Sequence, residues 1–129
     1  MNADVRQLIG PLLAFNPVAV YHFGSSAPGG RPARAGSDID LAFFAPEPCP
    51  PYAVFMAGQE IARAAGRDVD LIDLRRCGDV IAAQVVGAGR RIYTADPLRA
   101  DEFEMLALAR YARLNEERHE ILVREGVAP

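Results

Sequence analysis

The stretch Phe23–Leu41, FGSSAPGGRPARAGSDIDL, decides the fold. A β-branched and aromatic run, VAVYHF (18–23), leads into Gly24-Ser25. A loop of Gly, Pro and Arg follows, over 24–37. Asp38 and Asp40 then flank Ile39 at the start of a second apolar run, DIDLAFF (38–44). Both runs read as strands. Side chains alternate across a strand, so Asp38 and Asp40 face one way while Ile39 and Leu41 face the other, into a core. Two ionised carboxylates side by side repel unless a cation sits between them or water screens them. Hard cations such as Mg²⁺ prefer oxygen ligands, and commonly take one or two carboxylates plus substrate phosphates. Taken alone, an Asp-x-Asp pair is more often a turn or cap feature than a metal site.

Upstream, Val5, Leu8, Ile9, Leu12 and Leu13 form one helical stripe over residues 2–15, with Asn2 or Asp4 as candidate N-cap. Pro11 predicts a kink or a late start, and Asn16-Pro17 a stop. Downstream, residues 52–65 read as a helix burying Val54, Phe55, Ile61 and alanines. DVDLIDL (68–74) reads as a third strand. Asp79 is the expected cap of a short helix through Val86, and RRIYT (90–94) reads as a fourth strand. Asp96-Pro97 is an N-cap followed by proline at the first helical position, and the last helix runs to about Arg124, ending at Gly126. This order predicts an α+β fold: a small mixed sheet flanked by helices. The whole chain, 1–129, reads as a single domain with a core over about 5–95 and a C-terminal helix over about 97–125.

Composition supports a soluble globular protein: 129 residues, 50% hydrophobic and 24% charged. A net charge of −3 supplies no overall field to recruit nucleic acid or an anionic membrane. All 14 basic residues are arginine, so any cationic contact to phosphate comes from guanidinium groups. Cys49 and Cys77 are far apart and read as reduced thiols. The N-terminus carries no signal-peptide pattern and no run reaches membrane-span length, so the expected location is cytoplasmic. His22 and His119 are isolated and receive no role.

Two neighbours raise the significance of the aspartate pair. Gly24 lets the backbone approach a phosphate, and the Ser25 hydroxyl with nearby N–H groups can hold its oxygens. Asp68 and Asp70 share one face of the third strand. If that strand lies beside the second, Asp70 completes a three-carboxylate cluster able to hold two Mg²⁺ ions. Asp73 has the opposite parity and reads as a surface or cap residue. Arg31 and Arg34 could meet triphosphate charge, but read first as solvated loop residues.

FGS, a loop, SDIDL and then VDLIDL together resemble the minimal nucleotidyltransferases of the DNA polymerase beta superfamily. The resemblance spans about residues 5–95. It departs in the loop, where twelve residues separate Ser25 from Asp38 against the family's usual ten. It implies nucleotide-phosphate binding at Gly24 and Ser25, and two Mg²⁺ ions held by Asp38, Asp40 and Asp70. Asp70 would also deprotonate the attacking hydroxyl, with Asp68 its rival by parity. The implied reaction is attack of a hydroxyl on the α-phosphate of ATP with loss of pyrophosphate. Short bacterial members resemble the antitoxin half of a two-protein system whose toxin is a HEPN-domain ribonuclease. The resemblance therefore implies a protein adenylyltransferase that moves AMP onto a tyrosine of that toxin. A non-catalytic antitoxin acting by binding alone, and a small-molecule nucleotidyltransferase of the aminoglycoside type, are the alternatives. The last helix carries Phe103, Leu106, Tyr111, Leu114, Ile121 and Leu122 amid many charges. That stripe suits either partner docking or packing on the sheet.

Overall fold

Strand β1 (Ala19–Phe23) is the centre of the architecture, because both neighbouring strands pair with it antiparallel: β2 (Ile39–Phe44) on one side and β4 (Arg90–Thr94) on the other. Strand β3 (Val69–Asp73) adds to β2 in parallel, giving the order β3-β2-β1-β4. The computed structural model describes residues 3–24 and 39–127. Asn2, Ser25, Arg31, Arg34 and Asp38 lie outside them.

The sheet is covered on both faces, as the near-continuous apolar runs of β1 and β2 require. On one face Val20, Ile39, Leu41 and Phe43 pack with Ile9, Leu12, Val54, Ala57 and Ile61. These come from helix α1 (Ala3–Ile9), the 3₁₀ segment Gly10–Phe15 and helix α2 (Pro51–Ala65). On the other, Ala19, Tyr21, Ala42 and Phe44 meet Ala82 and Val85 of α3 (Asp79–Ala88), and Ala100 and Ala107 of α4 (Pro97–Arg124). A parallel β2–β3 pair needs a crossover, and α2 supplies it.

Local sequence explains the boundaries. Pro11 sits in the first turn of the 3₁₀ segment, so the expected single helix over 2–15 changes type at Gly10. Asn16 closes it in the left-handed region, at φ 57°. Asp96 caps α4 by accepting the Arg99 amide at 3.2 Å, with Pro97 next. Asp79 is not a cap: Gly78 holds that position and Asp79 is the first helical residue, where its charge favours the helix dipole. Phe55, expected in the core, is 59% exposed; Val54, Ala57, Gly58 and Ile61 form the buried face of α2.

Helix α4 has 28 residues, about 42 Å at 1.5 Å per residue. Its first half packs: Phe103 stacks on Phe44 with ring centroids 4.2 Å apart. Glu104 accepts from the buried Tyr21 hydroxyl at 2.7 Å and pairs with Arg91. Beyond Ala107 no described residue is buried, and Ile121, Leu122 and Val123 are exposed. Packing on the sheet thus holds for Phe103, while Ile121 and Leu122 stand clear of it.

Candidate active site

The carboxylates are placed by strand register. In the parallel ladder Asp40 is the direct partner of Asp70, so the two side chains project from one face of adjacent strands about 4.8 Å apart. That face also carries Ala42, Phe44 and Ile72. Asp40 is half-buried and Asp70 exposed. On its other side Asp40 pairs with Phe23, the last residue of β1.

Gly24 follows at once, and its geometry explains its identity. It has φ 79°, in the left-handed region where L side chains are strained. A Cβ built on it would lie 2.9 Å from Asp40 Cγ and overlap a carboxylate oxygen. The missing side chain is therefore the space in which the Asp40 carboxylate sits. Gly24, Asp40 and Asp70 come together across three consecutive strands, while Ser25 and Asp38 lie outside the described residues. Asp68 precedes β3, is exposed, and gives its carbonyl to the Ile39 amide at 2.8 Å. It reinforces the start of the β2–β3 ladder, and Asp70 is the residue opposite Asp40.

Asp73 is the residue that sequence reasoning misjudged. It is 6% exposed, and its carboxylate accepts the Cys49 amide at 2.9 Å and the Arg75 amide at 3.0 Å. Its turn-capping part was foreseen; its burial was not, because the Cys49 segment that covers it lies 24 residues away. Arg76 strengthens the same joint by donating to the Cys49 carbonyl at 2.9 Å.

Neighbouring titratable groups are tuned by burial. His22, on the face of β1 opposite to Asp40, is held below its ordinary pKa first by burial and then by the charge of Arg67. Tyr21 is pushed well above the ordinary tyrosine value by burial and by its bond to Glu104. Both cysteines are free thiols, Cys49 buried and Cys77 partly so.

With this geometry in place, the comparisons with known proteins are direct. Residues 12–98 match the family model described as polymerase beta, nucleotidyltransferase. The chain belongs to that family. The match takes in all four strands. Protein adenylyltransferase MntA of Shewanella oneidensis is 34% identical over 104 residues, which are 80% of this chain and 72% of that protein. A solved toxin–antitoxin structure with AMP-PNP is similar at 30% identity, with a TM-score of 0.80, covering 93% of this chain and 96% of its own. A tri-AMPylated Shewanella oneidensis HEPN toxin in complex with MNT antitoxin matches at 28% identity and TM-score 0.76, covering 94% of each chain. The family's fold is the one observed here: a small mixed sheet between helices. Among the described residues no helix is long and apolar enough to cross a membrane.

Proposed function

We propose that this chain is a protein adenylyltransferase of the antitoxin type, moving AMP from ATP to a tyrosine hydroxyl of a cognate HEPN ribonuclease toxin. The observation that carries the reading is the in-register pairing of Asp40 with Asp70 beside Gly24, in a chain similar to MntA. Solved relatives that hold AMP-PNP or an AMPylated HEPN toxin support the choice of nucleotide and acceptor.

The donor set fits Mg²⁺. Carboxylate oxygens from neighbouring strands are hard ligands, and Asp40 faces Asp70 where like charge would otherwise be unfavourable. Asp40 and Asp70, joined by Asp38 from outside the described residues, would hold two ions. Bound there, Mg²⁺ supplies charge neutralisation on the triphosphate. The backbone at Gly24 and the Ser25 hydroxyl receive the phosphate oxygens. Asp70, exposed at the outer strand, takes the proton of the incoming hydroxyl. That oxygen bonds to the α-phosphorus as the bond to pyrophosphate breaks. Positioning and charge stabilisation supply most of the rate.

The far half of α4 supports a protein partner. Ile121 and Leu122 are 51% and 42% exposed on a helix that has left the sheet. Exposed apolar residues repeated along one helix suit docking to another protein. The test is to incubate the chain with ATP, Mg²⁺ and its cognate HEPN protein, and to measure the intact mass of the latter. AMP-sized increments that disappear with Asp40→Asn are expected. An unmodified partner held in a tight complex would instead support an antitoxin that works by binding alone.

A further inference from the structure

Strand β3 is the outer strand of the sheet, and it carries Asp70. Its main chain alternates between the ladder and solvent. The Asp68 carbonyl and the Leu74 amide both bond to β2, to Ile39 and Phe43 respectively. The even-numbered residues therefore point inward, and the N–H and C=O groups of Val69 and Leu71 point out along an edge that, among the described residues, no other strand covers. Beside that edge, between β3 and α2, lies a groove of about 460 Å³ lined in part by Val54, Phe55, Gly58, Leu71, Asp70 and Cys77. Gly58 opens it, because a side chain there would project toward Leu71. Phe55 stands exposed on the α2 wall. Open strand edges are usually short, charged or covered, since they invite pairing with another chain. Here the edge joins an apolar groove to the carboxylate proposed as base.

We infer that this edge groove receives the acceptor protein as an extended segment laid alongside β3, with the hydroxyl-bearing side chain opposite Asp70. The inference rests on the proposed adenylyltransfer and names how its protein substrate is held. Main-chain groups of Val69 and Leu71 supply hydrogen bonds that any polypeptide in extended form satisfies. Cross-strand partners share a face, so a residue paired with Asp70 presents its hydroxyl on the side where the carboxylate stands. The next residue in the segment turns to the other side, against Phe55, Val54 and Leu71. A polypeptide fits this groove better than a small alcohol, because a small alcohol leaves both the edge amides and the Phe55 wall unused.

Two measurements test it on the full chain. First, steady-state AMP transfer to the cognate HEPN protein is compared for wild type and Phe55→Glu, a substitution at an exposed position. The expected result is a rise of about tenfold or more in KM for the acceptor, exceeding any change in KM for ATP; tenfold corresponds to about 1.4 kcal/mol of docking energy. Second, Cys77 provides a footprint. Cys49 is buried, so mild alkylation reports on Cys77, and saturating HEPN protein is expected to slow it by about tenfold, the same scale of protection. A folded Phe55→Glu variant with unchanged acceptor KM, or Cys77 alkylation unaffected in the complex, would overturn the inference. Absence of AMP transfer in wild type would defeat the proposed function instead. The footprint needs only docking, and still decides the groove.

Discussion

Asp70 and Asp73 sit three residues apart on one short strand and have opposite lives. Asp73 is buried, its oxygens filled by the Cys49 and Arg75 amides. Asp70 is exposed, directly opposite another carboxylate, and among the described residues it has no hydrogen-bond or ion-pair partner. An odd separation puts them on opposite faces of the sheet. One carboxylate is consumed by architecture: it ties the end of β3 to the segment after β2 and so fixes the register. The other is kept open by that same register. A satisfied buried carboxylate stabilises the fold, whereas carboxylates that face one another across neighbouring strands repel unless opposite charge is brought to them.

The sharpest break of this comparison is to neutralise each residue in turn. Asp70→Asn should lower AMP transfer by about 10²–10⁴-fold, the range for loss of a positioned base, while the melting temperature holds or rises as repulsion with Asp40 is relieved. Mass spectrometry of the acceptor and calorimetry of the variant check both halves. Asp73→Ala should do the reverse. It leaves the buried Cys49 amide without an acceptor, at about 1–3 kcal/mol, and frees the part-buried Arg75 amide as well; a denaturant titration should show the lost stability. Equal stability losses for the two variants would abolish the distinction drawn here.

Gly24→Ala sharpens the comparison from the neighbouring strand. The added methyl meets both a left-handed backbone and the Asp40 carboxylate, so a strain of about 1–3 kcal/mol is expected. The displaced carboxylate should cost activity well beyond what the loss of stability explains, which nucleotide-binding calorimetry would register. The smallest effect belongs to the central strand, where β1 meets α4. Tyr21→Phe removes the bond to Glu104, worth about 0.5–1.5 kcal/mol. Because burial and Glu104 raise the Tyr21 pKa, the folded state favours the neutral phenol. That stability is complete below the ordinary value of 10 and is lost as pH rises above it. Thermal melts at rising alkaline pH should therefore weaken wild type more than the phenylalanine variant.

Much of this molecule was legible one strand at a time. Asp96-Pro97 marks the start of α4, and RRIYT is β4, because caps, proline and β-branched residues act within a few positions of themselves. The alternation of Asp40 with Ile39 and Leu41 was legible in the same way, since parity along one strand needs no knowledge of its neighbours. Phe55 was misread because its position on α2 is on the helix's apolar side, yet the sheet edge ends before covering it.

By itself, the sequence determined the elements, their order, and that Asp70 and Asp73 face opposite ways along β3. Only the tertiary structure decided that β3 lies parallel to β2 with Asp70 opposite Asp40, that Asp73 is sealed by a segment 24 residues away, and that β3 is the outer strand of the sheet. The reason is physical. Alternation and capping are short-range, but pairing between strands is fixed by packing across the whole core, where a slip of one residue would turn every side chain to the opposite face.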